Sequence, residues 1–294
     1  MRVGVIVPQG WTGEYNGWEP GRAWQRTVAV ARQADQLGFE SIWLFDHVHT
    51  TPDPTDEITF ESFTSLAALA AETERVRLGH IVVCTAFRNP ALTAKMITTL
   101  DVISGGRMEL GIGAGWKQEE WEAYGYQFPE TRERLGRLSD DLEVITRMLG
   151  EGRATYEGRY SRVRGAINQP KPLQKPRVPI MVGGNGQKVT WRLAARHADE
   201  LNLDGMKPED VREALPIVRA RCEEIGRDPD SLKVSVHYWW GNAAQTGSRR
   251  VEALSAYREL GISRVMALLQ ASATEDSALE ELAADAREAG VALD

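Results

Sequence analysis

The residues best suited to proton chemistry in this chain lie in the run LFDHVH, where Asp46, His47 and His49 follow an apolar stretch. Imidazole is the side chain whose ordinary pKa lies nearest neutral pH, so His47 and His49 are the groups there able to exchange a proton, beside an Asp46 expected to be ionised. A second constellation is Gly111, Gly113 and Gly115 followed by Trp116, within SGGRMELGIGAGWKQEEWEAYGY. Bare backbone at alternate positions lets a large planar or phosphorylated ligand lie against the main chain, and Trp116 could wall it in. Any one of these glycines could equally serve tight packing; three in register before a tryptophan favour a ligand. A third constellation is Gly183-Gly184-Asn185-Gly186, read as opening directly into a helix at Gln187, where amide groups and the helix dipole could hold a phosphate.

Other chemistries find no residues. No Ser-His-Asp, Cys-His or paired-carboxylate arrangement appears, so covalent and glycosidic catalysis lack support. His47 and His49 have no carboxylates placed to complete a metal set, so no metal is expected. Cys84 and Cys222, the two cysteines, make neither a disulfide framework nor a zinc set, and Cys84 in its apolar strand reads as a packed thiol. The net charge of -7 argues against a nucleic-acid surface. No apolar run is long enough to span a bilayer and no cationic leader opens the chain, so no membrane contact and a cytoplasmic location are expected.

Short β-rich runs alternate with helical periods along all 294 residues. Strands are expected at Val3–Val7, Ser41–Phe45, Val76–Val83, Arg107–Ile112, Pro179–Val182, Glu200–Leu203, Leu232–Tyr238 and Arg264–Leu268. Helices fill the intervals, at Arg22–Leu37, Phe60–Thr73, Pro90–Ile103, Thr131–Leu149, Gln187–His197, Lys207–Ile225, Ser248–Leu260 and Glu275–Ala289. Gly38, Gly226 and Gly261 suit helix stops, and Pro90 and Pro208 suit first turns. Eight such units read as an α/β fold, a single (β/α)8 TIM barrel. A doubly wound sheet is the alternative, but no GxGxxG follows the first strand. Residues 1–294 read as one domain, with the polar, proline-rich stretch at about 151–178 an insertion before strand five. In a barrel the site gathers at the carboxyl ends of the strands, so strand seven would contribute His237, Tyr238, Trp239 and Trp240. Trp116 and Trp121, five apart, are expected on different helix faces, with at most one toward the site. Arg132 and Arg134 are expected to be solvated.

LFDHVH, the block RLGHIVVCTAFRNPALTAKMITTLDVISGGRMELGIGAGW, EAYGYQFP and PIMVGGNGQK together resemble the luciferase-like flavin and deazaflavin oxidoreductases, in particular the branch using 8-hydroxy-5-deazaflavin, coenzyme F420. The resemblance covers most of the chain from Gly38 to about Asn202. It implies Asp46 and His47 near the reactive ring of the cofactor, with His47 as proton donor or orienter. It matches Val82, Val83 and Cys84 to a bulged strand end where the family often has a non-prolyl cis peptide supporting the ring. Ala114 and Gly115 match cofactor-lining positions, and Gly183, Gly184, Gly186 and Gln187 match a phosphate cradle. Glu119 departs from a cofactor-contacting Asn, and Trp116 from a catalytic Glu, of a sugar-phosphate dehydrogenase in the family, so that substrate and that acid are not expected here. The implied activity is hydride transfer between F420 and a small-molecule substrate. The alternatives are an FMN-dependent monooxygenase fed by a separate reductase and a barrel that binds cofactor without turnover. The resemblance and the alanine-rich second and third helices imply a homodimer.

Overall fold

The computed structural model describes residues 1–238 and 246–293, so Trp239 and Trp240 lie outside the described residues. Near-continuous apolar runs form strands buried on both faces, as a parallel sheet covered by helices requires. In chain order these are β1 (Arg2–Ile6), β2 (Ser41–Leu44), β3 (Arg77–His80), β4 (Val83–Cys84), β5 (Met108–Gly113), β8 (Ile180–Gly183), β9 (Glu200–Asp204), β10 (Lys233–Tyr238) and β11 (Arg264–Leu268). The sheet order β3-β2-β1-β11-β10-β9-β8-β5-β4 closes on itself through a β3–β5 pairing, all of it parallel. β3 and β4 share one place in the wall, so the barrel has the eight strand positions expected. The third expected strand is the one that breaks, at a cis peptide between Ile81 and Val82.

Helices α1 (Pro20–Leu37), α2 (Ser62–Glu72), α3 (Pro90–Ile103), α5 (Thr131–Leu149), α6 (Thr190–His197), α7 (Pro208–Glu223), α8 (Ser248–Glu259) and α9 (Ser277–Glu288) surround the barrel. Their ends follow local chemistry. Glu19 accepts hydrogen bonds from the Gly21 and Arg22 amides ahead of α1, and Gly38 ends it at φ +86°, a conformation glycine adopts without strain. Asn89 caps α3, with Pro90 in its first turn. α6 begins at Thr190, three residues later than expected, because residues 187–189 form a turn. Among the elements not expected from the sequence are the six-residue helix α4 (Gln118–Ala123) and an antiparallel hairpin of β6 (Ala154–Glu157) and β7 (Arg162–Ala166) between α5 and β8.

The barrel interior is layered. At the amino-terminal end Arg264 lies among Glu109 (2.8 Å), Glu200 (3.2 Å) and Glu40 (3.4 Å). Above it Trp43, fully buried, packs with Ile6, Met181, Met266 and Leu268. Glycine makes the room: a Cβ on Gly79 would sit 2.2 Å from the Trp43 ring, and one on Gly4 2.8 Å from its indole nitrogen. The space above this plug, at the carboxyl ends of the strands, is the candidate site.

Candidate active site

A cavity of about 310 Å³ opens there, lined among others by Trp11, Phe45, His47, Val82, Gly113, Trp116, Glu120, Gly183 and His237. Small-molecule sites run to roughly 300–1,000 Å³, so it is large enough for an organic ligand.

Its wall is held by Asp46. The buried carboxylate accepts from both Arg88 Nη atoms (2.8 and 2.9 Å), Ser62 Oγ (2.8 Å) and the Cys84 amide (2.9 Å). Burial alone would raise its pKa, but the Arg88 charge and hydrogen bonds prevail and hold it below the usual carboxylate range. Asp46 is therefore ionised, as the sequence suggests, yet its oxygens are committed to fastening β4 against α2. Arg88 also bonds Glu61 and stacks on Phe63, so the clamp spans three segments. Cys84, the strand-end thiol, is buried and its pKa is pushed up to about 12, chiefly by burial, the state of a packed thiol.

His47 takes its partner from elsewhere. Its Nδ1 lies 2.7 Å from Glu120 Oε2, while Glu120 Oε1 accepts from the Val48 amide at 3.3 Å. The imidazole stacks on Trp11, centroids 4.3 Å apart and planes within 5°, and meets the edge of Trp116 at 5.7 Å. Glu120 was missed from sequence because it belongs to α4; the signal was there in Lys117, Glu120 and Trp121, which recur at helical spacing and are all buried, while Glu119 and Glu122 are exposed. Lys117, on the same face, donates to the Thr50 carbonyl at 2.9 Å. Both Trp116 and Trp121 line the cavity, because Trp116 precedes the helix and its facing is not set by helical spacing. Arg134 is not simply solvated: its guanidinium lies 4.0 Å over the Phe128 ring and donates to the Pro129 carbonyl.

The glycines divide by what occupies the space a side chain would take. A Cβ on Gly111 would meet the His80 carbonyl at 2.0 Å, so that glycine serves wall packing. Gly113 and Gly183 each leave room for Val82, with Cβ approaches of 2.9 Å, and Gly115, at φ +76°, leaves room for Cys84 and Trp121. Together they let the Val82 bulge enter the cavity floor. Asp46, His47, Val82, Val83, Cys84, Ala114, Gly115, Trp116, Gly183 and Gly184 all line the cavity. Glu119, Gly186 and Gln187 do not: Glu119 faces outward and pairs with Lys117 at 3.0 Å, and Gln187 borders a separate surface cleft with Asn185. The Gly184 amide donates to the Asn202 carbonyl at 3.0 Å, and its carbonyl accepts from the Trp191 indole, so that residue ties the loop to β9 and α6. Across the cavity His237 is buried beside Phe45, and burial, with a smaller push from His47, lowers its pKa to about 3, keeping it neutral.

A family profile described as luciferase-like monooxygenase matches residues 1–292. The chain belongs to that family. Among curated members it is 32% identical over 275 residues to an F420-dependent glucose-6-phosphate dehydrogenase of Microbacterium testaceum, covering 85% of this chain and 80% of that one. A second F420-dependent glucose-6-phosphate dehydrogenase, from Intrasporangium calvum, is 34% identical over 257 residues, 80% of this chain and 74% of that one. Among solved structures, an F420-dependent secondary alcohol dehydrogenase in complex with an F420-acetone adduct superposes with a TM-score of 0.82 at 17% identity, over 98% of both chains, which shows the shared barrel.

Proposed function

We propose that this luciferase-like barrel is an F420-dependent oxidoreductase that transfers a hydride between the deazaflavin and a small organic substrate. The observation that carries this reading is the cavity itself: a floor raised by Val82 into the room that Gly113 and Gly183 leave, aromatic walls, and one proton-exchanging histidine at its edge. Relatives above 30% identity named as F420-dependent dehydrogenases support the choice of cofactor.

The residues present fit a planar cofactor. Val82, Val83, Ala114 and Gly115 would face its ring, while Gly183 and Gly184 would serve its phosphate side, with Gly186 and Gln187 in reach only of a phosphate that extends beyond the cavity toward α6. When bound, a deazaflavin supplies hydride transfer, which no side chain of the chain can perform. The protein's own part is to place the substrate, keep water out with Trp11 and Trp116, and move the accompanying proton through His47. Trp116 offers no such proton. The reading extends to a cytoplasmic homodimer packed through α2 and α3, with residues 1–294 as one barrel domain and 151–178 as its insertion.

Purification from a deazaflavin-producing host, followed by absorbance and mass spectra of the extracted cofactor, tests the assignment. F420 is expected; FMN in its place would transfer the site to oxygen chemistry. Neither cofactor, together with no fluorescence change on titration with purified F420, would end the reading.

A further inference from the structure

We infer that Glu120 is the positioning residue of His47, holding the ring as its Nδ1–H tautomer so that Nε2 is the atom that exchanges the substrate proton. The inference rests on reading the cavity as the site of hydride transfer. A carboxylate oxygen accepts hydrogen bonds, and at 2.7 Å from Nδ1 it selects the tautomer that donates there. The other Glu120 oxygen accepts from the Val48 amide, so both oxygens grip the same two residues of the loop after β2. The Glu120 side chain is 2% exposed and that of His47 15%, so the pair is shielded on the carboxylate side and open on the imidazole side.

Asp46 cannot substitute, because Ser62, Cys84 and Arg88 occupy its oxygens. The ring cannot readily turn either: Trp11 stacks on one face and the edge of Trp116 closes on it. Lys117, the residue before α4, reaches the Thr50 carbonyl three residues ahead of Glu120, so the segment 117–120 holds the loop at two points. In the oxidation of an alcohol, Nε2 would take the hydroxyl proton, and a bound deazaflavin would supply the acceptor for the hydride of the adjoining carbon. A carbonyl forms, and the resulting imidazolium faces the Glu120 carboxylate. In the reverse direction Nε2 returns that proton.

The test is a two-bond proton–nitrogen correlation spectrum of protein carrying ¹⁵N-labelled histidine, with His47→Asn used to identify the His47 signals among five histidines. Glu120→Leu removes the acceptor, and Glu120→Gln keeps an oxygen able to accept from Nδ1. The expected neutral-ring pattern is Nδ1–H in the parent and in Glu120→Gln, turning to Nε2–H in Glu120→Leu. A residue that merely braced the Val48 amide would leave the His47 tautomer unmoved. F420 affinity, followed by fluorescence, is expected to stay within about threefold in both variants, as general acid–base groups act on turnover more than on binding. An Nε2–H ring in the parent, or Nδ1–H retained in Glu120→Leu, overturns the inference, and Glu120→Ala, which also removes the acceptor, decides it if the leucine variant does not fold. The spectrum needs no cofactor, so failure of F420 to bind would strike the functional reading separately.

Discussion

Acidification should destabilise this barrel well before its carboxylates titrate, and His80→Leu should remove a defined share of the loss. His80 is fully buried on β3 with its ring 4.2 Å from that of Phe63, and neither ring nitrogen has a hydrogen-bond partner among the described residues. Burial pushes its pKa down from 6.5 to about 4, with the nearby Asp46 charge opposing that push. Between those values the unfolded chain holds the proton and the folded chain does not, so stability falls as pH falls through this window. Linkage puts the loss at about 2 kcal/mol for His80 on going from pH 7.5 to pH 5. His237, lowered to about 3, adds roughly the same over that range. His80→Leu should therefore lose about 2 kcal/mol less than the parent over that range, against a typical total stability of about 5–15 kcal/mol. Leucine has similar volume, and it removes two unpartnered ring nitrogens. Urea unfolding at the two pH values measures both losses. A variant that loses as much as the parent would refute the assignment of a neutral, buried His80.

Asp46→Asn keeps the shape but leaves Arg88 facing a neutral group, and should cost about 3–5 kcal/mol in urea unfolding at pH 7.5, as breaking a buried pair does; a loss under about 1 kcal/mol would remove the clamp. Because its folded pKa is depressed, the Asp46 share is present at neutral pH and disappears only as pH falls below the ordinary carboxylate value of about 4, outside the histidine window. Gly184→Val forces a branched side chain to φ +126° with Thr190 3.6 Å from its Cβ, and should weaken F420 binding at least about tenfold while the fold persists; unchanged affinity in a fluorescence titration would detach the phosphate side from this loop. Light scattering at micromolar concentration should give twice the 32.7 kDa chain mass, and a monomer mass would dismiss the α2–α3 interface.

What could be read from the sequence, and what could not, follows the range of the interactions. The strands were legible because a parallel barrel strand is apolar on both faces, and that signature survives in runs such as Met108–Ile112. His47 was legible from its place after a buried strand. Its partner was not, since Glu120 is 73 residues away and sits on a helix of six residues, too short to announce a period. The clamp on Asp46 was hidden for the same reason: the guanidinium that holds it lies 42 residues on, and only the fold brings Arg88 back. The Gly183–Gly186 run reads as entering a helix directly because nothing in its composition reveals the intervening turn. Likewise the spacing of Trp116 and Trp121 implied different helix faces, although only Trp121 belongs to a helix.

The Trp43 plug has a bearing on how this protein could acquire new substrates. Its indole overlies Gly4 and Gly79 of the two flanking strands, where even a methyl group would collide, and packs in one cluster with Met181 and Met266, so deepening the cavity means dismantling that layer. Room for a different molecule can be made only sideways and upward, in the segment 51–59 and around Trp116, Tyr124 and Tyr126, whose side chains reach solvent. Variation confined to that crown would retune substrate choice while the floor stays constant, so a library aimed at the rim should yield folded variants far more often than one aimed at the plug.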